Sequence, residues 1–149
     1  AASASPFAAG KHARQVRSVV RSACEHQVAI ASVNRSGSED DLVFDGSVLL
    51  VNSAGDPLVC REPFEGPGLV MADLDAAPVG SASTEKSSDQ ERFNALVEGV
   101  RGYLRKTGQH RVIVGLSGGI DSAVTVAIAA AAVGGDGGWG RAGAYPGPK

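Results

Sequence analysis

The most constraining feature of the chain is an apolar run that leads into a glycine-rich turn and then into an alanine-rich segment. Residues 112–122 read Val-Ile-Val-Gly-Leu-Ser-Gly-Gly-Ile-Asp-Ser, and residues 123–133 are mostly alanine and valine. This pattern predicts a buried strand over residues 111–116, a tight turn over residues 117–122 and a helix over the segment that follows. Such an order gathers several backbone N–H groups and one helix N-terminus around a single point.

This turn is suited to an anion. The unpaired N–H groups and the partial positive charge of the helix end attract negative charge. Gly118 and Gly119 let the backbone approach an oxyanion without an intervening Cβ, and Ser117 and Ser122 add hydroxyl donors. Because no lysine precedes Ser122, the segment is not a Walker A loop, and Mg²⁺ and residues elsewhere must balance the charge of a phosphate.

The hexapeptide Ser-Gly-Gly-Ile-Asp-Ser at residues 117–122 resembles the signature of the ATP pyrophosphatases, which cleave ATP between its α and β phosphates. Members of this family include NAD, GMP and asparagine synthetases. The resemblance implies that ATP contacts eight residues: Gly115, Leu116, Ser117, Gly118, Gly119, Ile120, Asp121 and Ser122. The alternative is a glycine-rich strand–helix turn without a ligand.

Asp121 has two interpretations, which the sequence does not separate. As an early helix residue it opposes the helix dipole, which stabilises a helix by about 0.3 to 1 kcal/mol. By the resemblance it belongs to the ATP-binding loop and is the candidate ligand for Mg²⁺. The two roles are compatible.

The first 75 residues resemble the C-terminal part of the nitrilase-type amidase domain of glutamine-dependent NAD synthetases. The matching stretches are Ser3-Ala4-Ser5-Pro6-Phe7, Gly10-Lys11, Val33-Asn34, Gly37, residues 41–47 and Phe64-Glu65. Asp40-Asp41 stands where the family has Asp-Glu. Few families combine this amidase end with the hexapeptide, so the combination is more specific than either part.

The resemblance implies that Ser5 and Lys11 contact the substrate glutamine. The carboxylate of a free amino acid needs a cationic or hydrogen-bond-donating partner, which these two side chains supply. Without the resemblance, a helix N-cap serine and a surface lysine explain the same residues.

By the same resemblance, the amidase nucleophile, base and oxyanion-stabilising lysine fall before Ala1, so we expect no catalytic residue and no glutamine hydrolysis here. Cys24-Glu25 is superficially similar to the nucleophile motif but lies in a predicted helix, and Cys60 lies on a predicted hairpin strand. The three histidines (His12, His26 and His110) lack metal-ligand spacing and are predicted at the surface or at helix ends.

The remaining pattern predicts an α/β protein. We expect a helix over residues 8–27, strands over residues 28–33, 42–44, 47–51, 58–61 and 69–74, a loop over residues 34–41 and a turn over residues 52–57. A helix is expected to start near Ser88, with Glu91 at capping-box spacing, and to end at Thr107-Gly108. Its apolar side should pack on the strand that contains Val112 and Val114: Phe93, Leu96, Val97, Val100 and Leu104.

Three regions follow from the elements and the resemblance together. Residues 1–75 are expected to be the C-terminal part of a nitrilase-like α-β-β-α sandwich, and residues 76–87 a linker rich in small residues. Residues 88–149 are expected to begin a Rossmann-like adenine nucleotide α-hydrolase domain with its first β-α unit. No regular structure is predicted after Gly134, where Pro146-Gly147-Pro148 resembles the start of a further family motif.

Composition excludes several functions. The net charge of -2 argues against nucleic acid as a partner, and no apolar run approaches the roughly 18 to 20 residues that span a bilayer. Two cysteines and no secretory signal indicate a reducing cytoplasm. A basic series at helical spacing is either a solvated helix face or a binding patch: Lys11, Arg14, Arg17 and Arg21.

The resemblance implies a fragment of a carbon–nitrogen ligase that acts as a homo-oligomer on ATP, glutamine and deamido-NAD. In that reaction ATP adenylates the nicotinate carboxylate, pyrophosphate leaves and ammonia from glutamine attacks the activated acyl group. Two alternatives stay open. One is another amidotransferase with the same ATP loop, such as a GMP synthetase, against which residues 34–47 count. The other is a non-catalytic fragment with at most weak nucleotide binding.

Overall fold

The computed structural model describes residues 1–75, 77–80, 88–134 and 143–146. The chain divides into two compact units, Ala1–Ala95 and Leu96–Lys149. The predicted α/β class is confirmed, because helices accompany both antiparallel and parallel strands. The expected linker lies mostly outside the described residues. No described helix is long and apolar enough to cross a membrane.

The first unit is built on a four-stranded sheet and a small separate hairpin. Its elements in chain order are β1 (Ala2–Ser3), α1 (Lys11–His26), β2 (Ile30–Asn34), β3 (Ser36–Glu39), β4 (Leu42–Asp45), β5 (Val48–Val51) and β6 (Pro57–Arg61). The sheet has the order β1-β2-β5-β6, in which only β1 and β2 run parallel. The hairpin pairs β3 with β4.

The core of this unit forms where α1 packs on β5. Val16 and Ala23, one face of α1 seven residues apart, meet Leu49 and Val51 of the sheet. The helix starts at Lys11 because Gly10 has a φ of 70°, which no helix continues, and it ends where Gln27 takes a left-handed conformation. The predicted helix is therefore confirmed, but it begins at Lys11 and not at residue 8.

The turn between β5 and β6 is fixed by one side chain and one glycine. The Asn52 Oδ1 atom accepts hydrogen bonds of 2.9 Å from the N–H groups of Ala54 and Asp56. Gly55 has a φ of +85°, and a Cβ at this position would lie 2.5 Å from the Cys24 Sγ atom. Glycine is thus required both by backbone conformation and by the close approach of α1, and the predicted turn is confirmed.

Two predictions for the first unit are wrong. Residues 34–41 are not a loop, because Ser36–Glu39 pairs with Leu42–Asp45 as a hairpin. The polar side chains of Ser36–Glu39 gave no strand pattern in the sequence, and the strand is defined by its backbone hydrogen bonds. Residues 69–74 are not a strand: Leu69 and Met71 are 88% and 87% exposed, and no partner strand covers this segment within the part of the chain that the structure describes.

The remaining elements are α2 (Ser88–Thr107), β7 (Ile113–Leu116), α3 (Ile120–Val133) and β8 (Gly143–Pro146). β7 and β8 form a two-stranded parallel sheet, separate from the sheet that contains β5. The expectation of no regular structure after Gly134 is wrong, because β8 pairs with β7. The glycine-rich sequence that follows Gly134 gave no strand pattern. Pro146-Gly147-Pro148 lies only partly within the described residues.

The packing of the second unit differs from the prediction. The helix that packs on β7 is α3, and α2 reaches α3 through Arg101, whose guanidinium donates to the carbonyl groups of Ala131 and Ala132. On α2, Ala95 and Val97 are buried but Leu96 is 55% exposed. The strand was predicted to be buried, yet Ile113 is 86% exposed, because few of the described elements cover it.

Candidate functional site

The first candidate site is the turn between β7 and α3. The turn lies at the C-terminal end of the strand, as predicted, but it is shorter than the expected residues 117–122. β7 ends at Leu116 and α3 begins at Ile120, so three residues make the connection. Gly118 has a φ of +87°, a conformation that other residues rarely adopt, although a Cβ there would meet no atom within 4 Å. The requirement for glycine at this position is therefore one of backbone conformation.

The N-terminus of α3 carries donors that point out of the turn. Gly119 is the N-cap residue with an extended backbone, and no side chain of the described residues caps the helix. The first backbone hydrogen bond of the helix runs from the Ala123 N–H to the Gly119 carbonyl oxygen at 3.2 Å. The N–H groups that precede Ala123 in the first turn of α3 therefore have no partner within the helix. Such donors favour an anion, together with the helix dipole.

The two predicted hydroxyl groups meet at this turn. Ser117 Oγ lies 3.2 Å from Ser122 Oγ, and Ser122 Oγ donates to the Gly119 carbonyl at 2.9 Å. The residues from Gly115 to Asp121 are exposed and Ser122 is partly buried. The eight predicted residues therefore lie at the end of β7, in the three-residue turn and in the first turn of α3, around one point that a ligand can reach.

Asp121 lies in the first turn of α3, where a carboxylate opposes the helix dipole. Its side chain is exposed, and its backbone carbonyl accepts a 2.9 Å hydrogen bond from Thr125 Oγ1. Among the described residues, no group of three or more His, Cys, Asp or Glu side chains is arranged to hold a metal ion.

The second candidate site is the contact between Ser5 and Lys11. Lys11 Nζ donates to Ser5 Oγ at 2.5 Å and to the Pro6 carbonyl at 2.6 Å. The alternative of an N-cap serine is wrong for Ser5, because Gly10 is the N-cap of α1. Lys11 is partly exposed, and its ammonium is bonded to the loop before the helix.

Two functional candidates were missed at the sequence level. Asn34 and Asp45 are 5% and 4% exposed, and the Asn34 side chain bonds to both the N–H and the carbonyl of Ser5. The available signal was their position: each is a short polar residue that ends an apolar strand segment. A buried polar residue of this kind needs partners, and here the partner is the loop that carries Ser5.

The cysteines lie where the sequence predicted. Cys24 is within α1 and its Sγ atom is 3.1 Å from the Ala54 carbonyl, to which it donates, whereas Cys60 lies on β6. On the basic face of α1, Arg14 and Arg17 are exposed and Arg21 pairs with Glu25 at 2.6 Å, which is typical of a solvated helix face.

His12 lies in the first turn of α1, at a helix end as predicted. Its environment is less exposed than a helix end suggests, because both ring nitrogen atoms are buried and have no hydrogen-bond partner among the described residues. An imidazole in this state is destabilising unless something binds it.

Comparisons with known proteins identify the relatives of the chain. Residues 92–140, which include the whole turn, match the family model described as NAD synthase. A glutamine-dependent NAD(+) synthetase from Synechocystis sp. is 40% identical over 137 residues, which are 89% of this chain and 24% of that protein. The enzyme of the same name from Xylella fastidiosa is 39% identical over 89% of this chain and 25% of its own length.

Solved structures show a similarity to the same synthetases. The glutamine-dependent NAD+ synthetase from Acinetobacter baumannii, in complex with ADP, has a TM-score of 0.80 at 32% identity, covering 96% of this chain and 27% of that chain. Over most of its length, the chain is similar to a segment of glutamine-dependent NAD(+) synthetases. A second such synthetase, from Cytophaga hutchinsonii, has a TM-score of 0.67 at 24% identity and supports the fold alone.

The extent of the match to glutamine-dependent NAD(+) synthetases is unequal on the two sides. These sequence relatives cover 89% of this chain, whereas the chain spans about a quarter of their length. The family model begins at Arg92, so it includes the Ser117–Ser122 turn but not the Ser5–Lys11 contact. The similarity of the first part of the chain to these synthetases therefore comes from the relatives and not from the family model.

Proposed function

We propose that the chain supplies the ATP-binding loop and part of the glutamine-binding pocket of a glutamine-dependent NAD(+) synthetase. In the proposed reaction, ATP adenylates the carboxylate of deamido-NAD, pyrophosphate leaves and ammonia released from glutamine forms the amide. The activity is that of a carbon–nitrogen ligase, and the whole enzyme is proposed to be a homo-oligomer.

The observation that carries this proposal is the open turn between β7 and α3. Its glycine residues, exposed N–H groups and paired hydroxyls suit the oxygen atoms of a phosphate, and a similar synthetase was solved with ADP. We assign ATP to Gly115, Leu116, Ser117, Gly118, Gly119, Ile120, Asp121 and Ser122.

The metal proposed at this turn is Mg²⁺. This ion keeps several waters and is commonly bound by one or two carboxylates together with substrate phosphates, so one exposed carboxylate beside a phosphate site fits it. Asp121 would hold it, and when bound it would offset the negative charge of the phosphate oxygens.

The glutamine site is proposed at Ser5 and Lys11. The Lys11 ammonium has three N–H donors, two of which are used by Ser5 Oγ and the Pro6 carbonyl. Because Ser5 accepts from Lys11, its own O–H can still donate outward. The pair therefore offers two adjacent donors and a positive charge, which suits the α-carboxylate of an amino acid better than its ammonium group.

We also propose the division of the chain. Residues 1–75 would be the end of a nitrilase-like sandwich, 76–87 a linker, and 88–149 the start of a Rossmann-like nucleotide-binding domain. The antiparallel ladders of the first sheet and the strand–turn–helix order at β7 support this assignment.

A second candidate function is nucleotide binding without catalysis. It is favoured by the exposure of β7 and its turn, since an open loop binds a phosphate with little burial and little additional contact. Both candidates require the same loop, so the first experiment is a calorimetric titration of the chain with ATP and Mg²⁺. We expect weak binding that Gly119→Val and Asp121→Ala each remove.

Matched controls lie outside the turn. Gly80, like Gly119, has a backbone conformation that tolerates a side chain, and the space around it is open. Gly80→Val should therefore leave ATP binding unchanged. Asp89 is an exposed carboxylate in the first turn of α2, and Asp89→Ala should be equally silent. Tight ATP binding that survives both loop variants would show that the nucleotide binds elsewhere.

A further inference from the structure

We propose that Asn34 is a positioning residue for the glutamine site: its side-chain amide holds the Ser5–Pro6 loop so that Ser5 and Lys11 present their donors together. This inference rests on the glutamine site proposed above. Among the described residues, the hydrogen bonds of the Asn34 side chain run to Ser3, Ser5 and Asp45 and not to the Lys11 ammonium. Asn34 acts through the backbone of Ser5.

The hydrogen-bonding capacity of the Asn34 amide is fully used. Its Oδ1 atom accepts from the Ser5 N–H at 2.9 Å and from Ser3 Oγ at 3.0 Å. Its Nδ2 atom donates to the Ser5 carbonyl at 2.9 Å and to Asp45 Oδ1 at 2.8 Å. The parallel ladder of β1 and β2 ends at the pair Ser3 and Asn34, so the side chain continues the pairing where the strands stop.

Asp45 determines which way the amide faces. Its Oδ1 atom accepts from Asn34 Nδ2, from the Ser47 N–H at 3.1 Å and from Ser47 Oγ at 2.9 Å. A flipped amide would set Oδ1 against the carboxylate and its NH₂ group against the Ser5 N–H. Only the observed orientation satisfies both neighbours, so the buried carboxylate fixes the register of the Ser5 contact.

The loop is held on its other side as well. The Phe7 N–H donates to the Val43 carbonyl at 2.7 Å, and the Phe7 ring lies edge-on to Phe64 with centroids 5.2 Å apart. Pro6 therefore lies between two fixed residues, and its carbonyl is the second acceptor of the Lys11 ammonium. Removing the Asn34 contact frees one of these two ends and lets the Ser5 hydroxyl and the Pro6 carbonyl move away from Lys11.

The test uses the full chain and two independent measurements. The first is the affinity for L-glutamine by calorimetry. The second is the acetylation rate of Lys11 relative to Lys106, read by mass spectrometry after brief exposure to an acetylating reagent; it reports how well the loop protects the Lys11 amine and needs no ligand. The variants are Asn34→Ala, Lys11→Met and the control Asn52→Ala.

The control is closely matched. Asn52 also fixes a turn through two backbone hydrogen bonds from its side chain, but at the β5–β6 turn rather than at the Ser5 loop. We expect Asn34→Ala to weaken glutamine binding about tenfold, which corresponds to the loss of about one buried hydrogen bond. Lys11 acetylation should rise relative to Lys106, and Asn52→Ala should change neither quantity.

A double variant separates loss of positioning from simple unfolding. Asn34→Asp combined with Asp45→Asn exchanges the two side chains, keeps a donor–acceptor contact between them and keeps an acceptor for the Ser5 N–H, but it loses the donor to the Ser5 carbonyl. We expect it to recover part of the glutamine affinity and Lys11 protection that Asn34→Ala loses. If Asn34 served stability alone, the double variant and Asn34→Ala would bind glutamine equally well once both are compared at the same folded fraction.

The outcomes separate the two proposals. If Lys11→Met abolishes glutamine binding and a folded Asn34→Ala chain retains both affinity and Lys11 protection, the positioning role is wrong and the glutamine site stands. If the unaltered chain binds no glutamine, or Lys11→Met binds it unchanged, the glutamine site is wrong and the positioning role fails with it.

Discussion

The Asn34 side-chain amide donates a 2.8 Å hydrogen bond to the carboxylate of Asp45, and both side chains are almost fully buried. β2 ends at Asn34 and β4 ends at Asp45, so the contact joins the four-stranded sheet to the β3–β4 hairpin. It is a neutral donor facing a charged acceptor. A negatively charged side chain at position 34 should therefore destabilise the first unit.

We predict that Asn34→Asp destabilises the chain by about 3 kcal/mol or more, because it sets a second buried carboxylate against Asp45. Urea unfolding followed by circular dichroism measures the change. Adding Asp45→Asn to the same chain should recover part of the loss, because it removes the repulsion between the two carboxylates but does not restore the donor to the Ser5 carbonyl. If the single variant is as stable as the unaltered chain, the two side chains do not meet in solution.

The sequence predicted the elements that apolar periodicity defines and failed where backbone pairing decides. The α1 face and the β5–β6 hairpin followed from spacing and turn chemistry, and so did the turn before α3. β3 was missed because its Ser-Gly-Ser-Glu sequence has no apolar alternation, and β8 because it is only four residues long and follows a glycine-rich segment. The segment of residues 69–74 shows the converse: apolar composition without a pairing partner gives no strand.

The same limit applies to the candidate sites. The candidate site at residues 117–122 is one contiguous segment, so the sequence alone was enough to propose it. The Ser5–Lys11 contact is also local, but the Asn34 contact joins residues 29 apart along the chain, and single-sequence patterns do not encode such pairings. The burial of both His12 ring nitrogen atoms was likewise not predicted from the sequence.

Burial distinguishes two leucines and predicts opposite outcomes for the same substitution. Leu49 is 4% exposed in the core against α1, whereas Leu69 is 88% exposed. Leu49→Ala should destabilise the chain by about 2 to 5 kcal/mol through lost burial and a residual cavity. Leu69→Ala should change stability by less than about 0.5 kcal/mol. Equal effects in urea unfolding would contradict the assigned core.

His12 provides a prediction of the opposite sign. Because both ring nitrogen atoms are buried without partners among the described residues, an apolar ring of similar size removes a desolvation penalty. His12→Phe should stabilise the chain by about 1 to 2 kcal/mol at neutral pH. His26→Phe is the control, since His26 is exposed at the end of α1 and should have little effect. A destabilised His12→Phe chain would indicate that the imidazole has an unseen partner, such as water.

Cys24 leads to a prediction about chemistry. Its thiol lies within α1 and donates to the Ala54 carbonyl, so it faces a turn of the same unit rather than a substrate pocket. Cys24→Ala should therefore leave ammonia release from glutamine unchanged at the background level of the unaltered chain. Ammonia release that the unaltered chain sustains and the variant loses would assign the nucleophile to Cys24 after all.

Gly55 and Gly66 allow the cost of backbone strain to be separated from the cost of a steric clash. Their φ angles are +85° and +84°, so an alanine at either position bears the same left-handed strain of about 1 to 2 kcal/mol. A Cβ on Gly66 meets no atom within 4 Å, whereas a Cβ on Gly55 would lie 2.5 Å from Cys24 Sγ. Gly55→Ala should thus destabilise the chain more than Gly66→Ala does, by an additional amount of about 1 to 3 kcal/mol.

The excess can be assigned to the thiol by a double-variant cycle. In a Cys24→Ala background the Sγ atom is absent, so the difference between Gly55→Ala and Gly66→Ala should shrink, leaving the contact with Val20 Cγ1 at 3.1 Å as the remaining obstruction. Urea unfolding of the four combinations measures the coupling. If the excess at Gly55 is unchanged when the thiol is removed, α1 does not approach the β5–β6 turn as closely as the structure indicates.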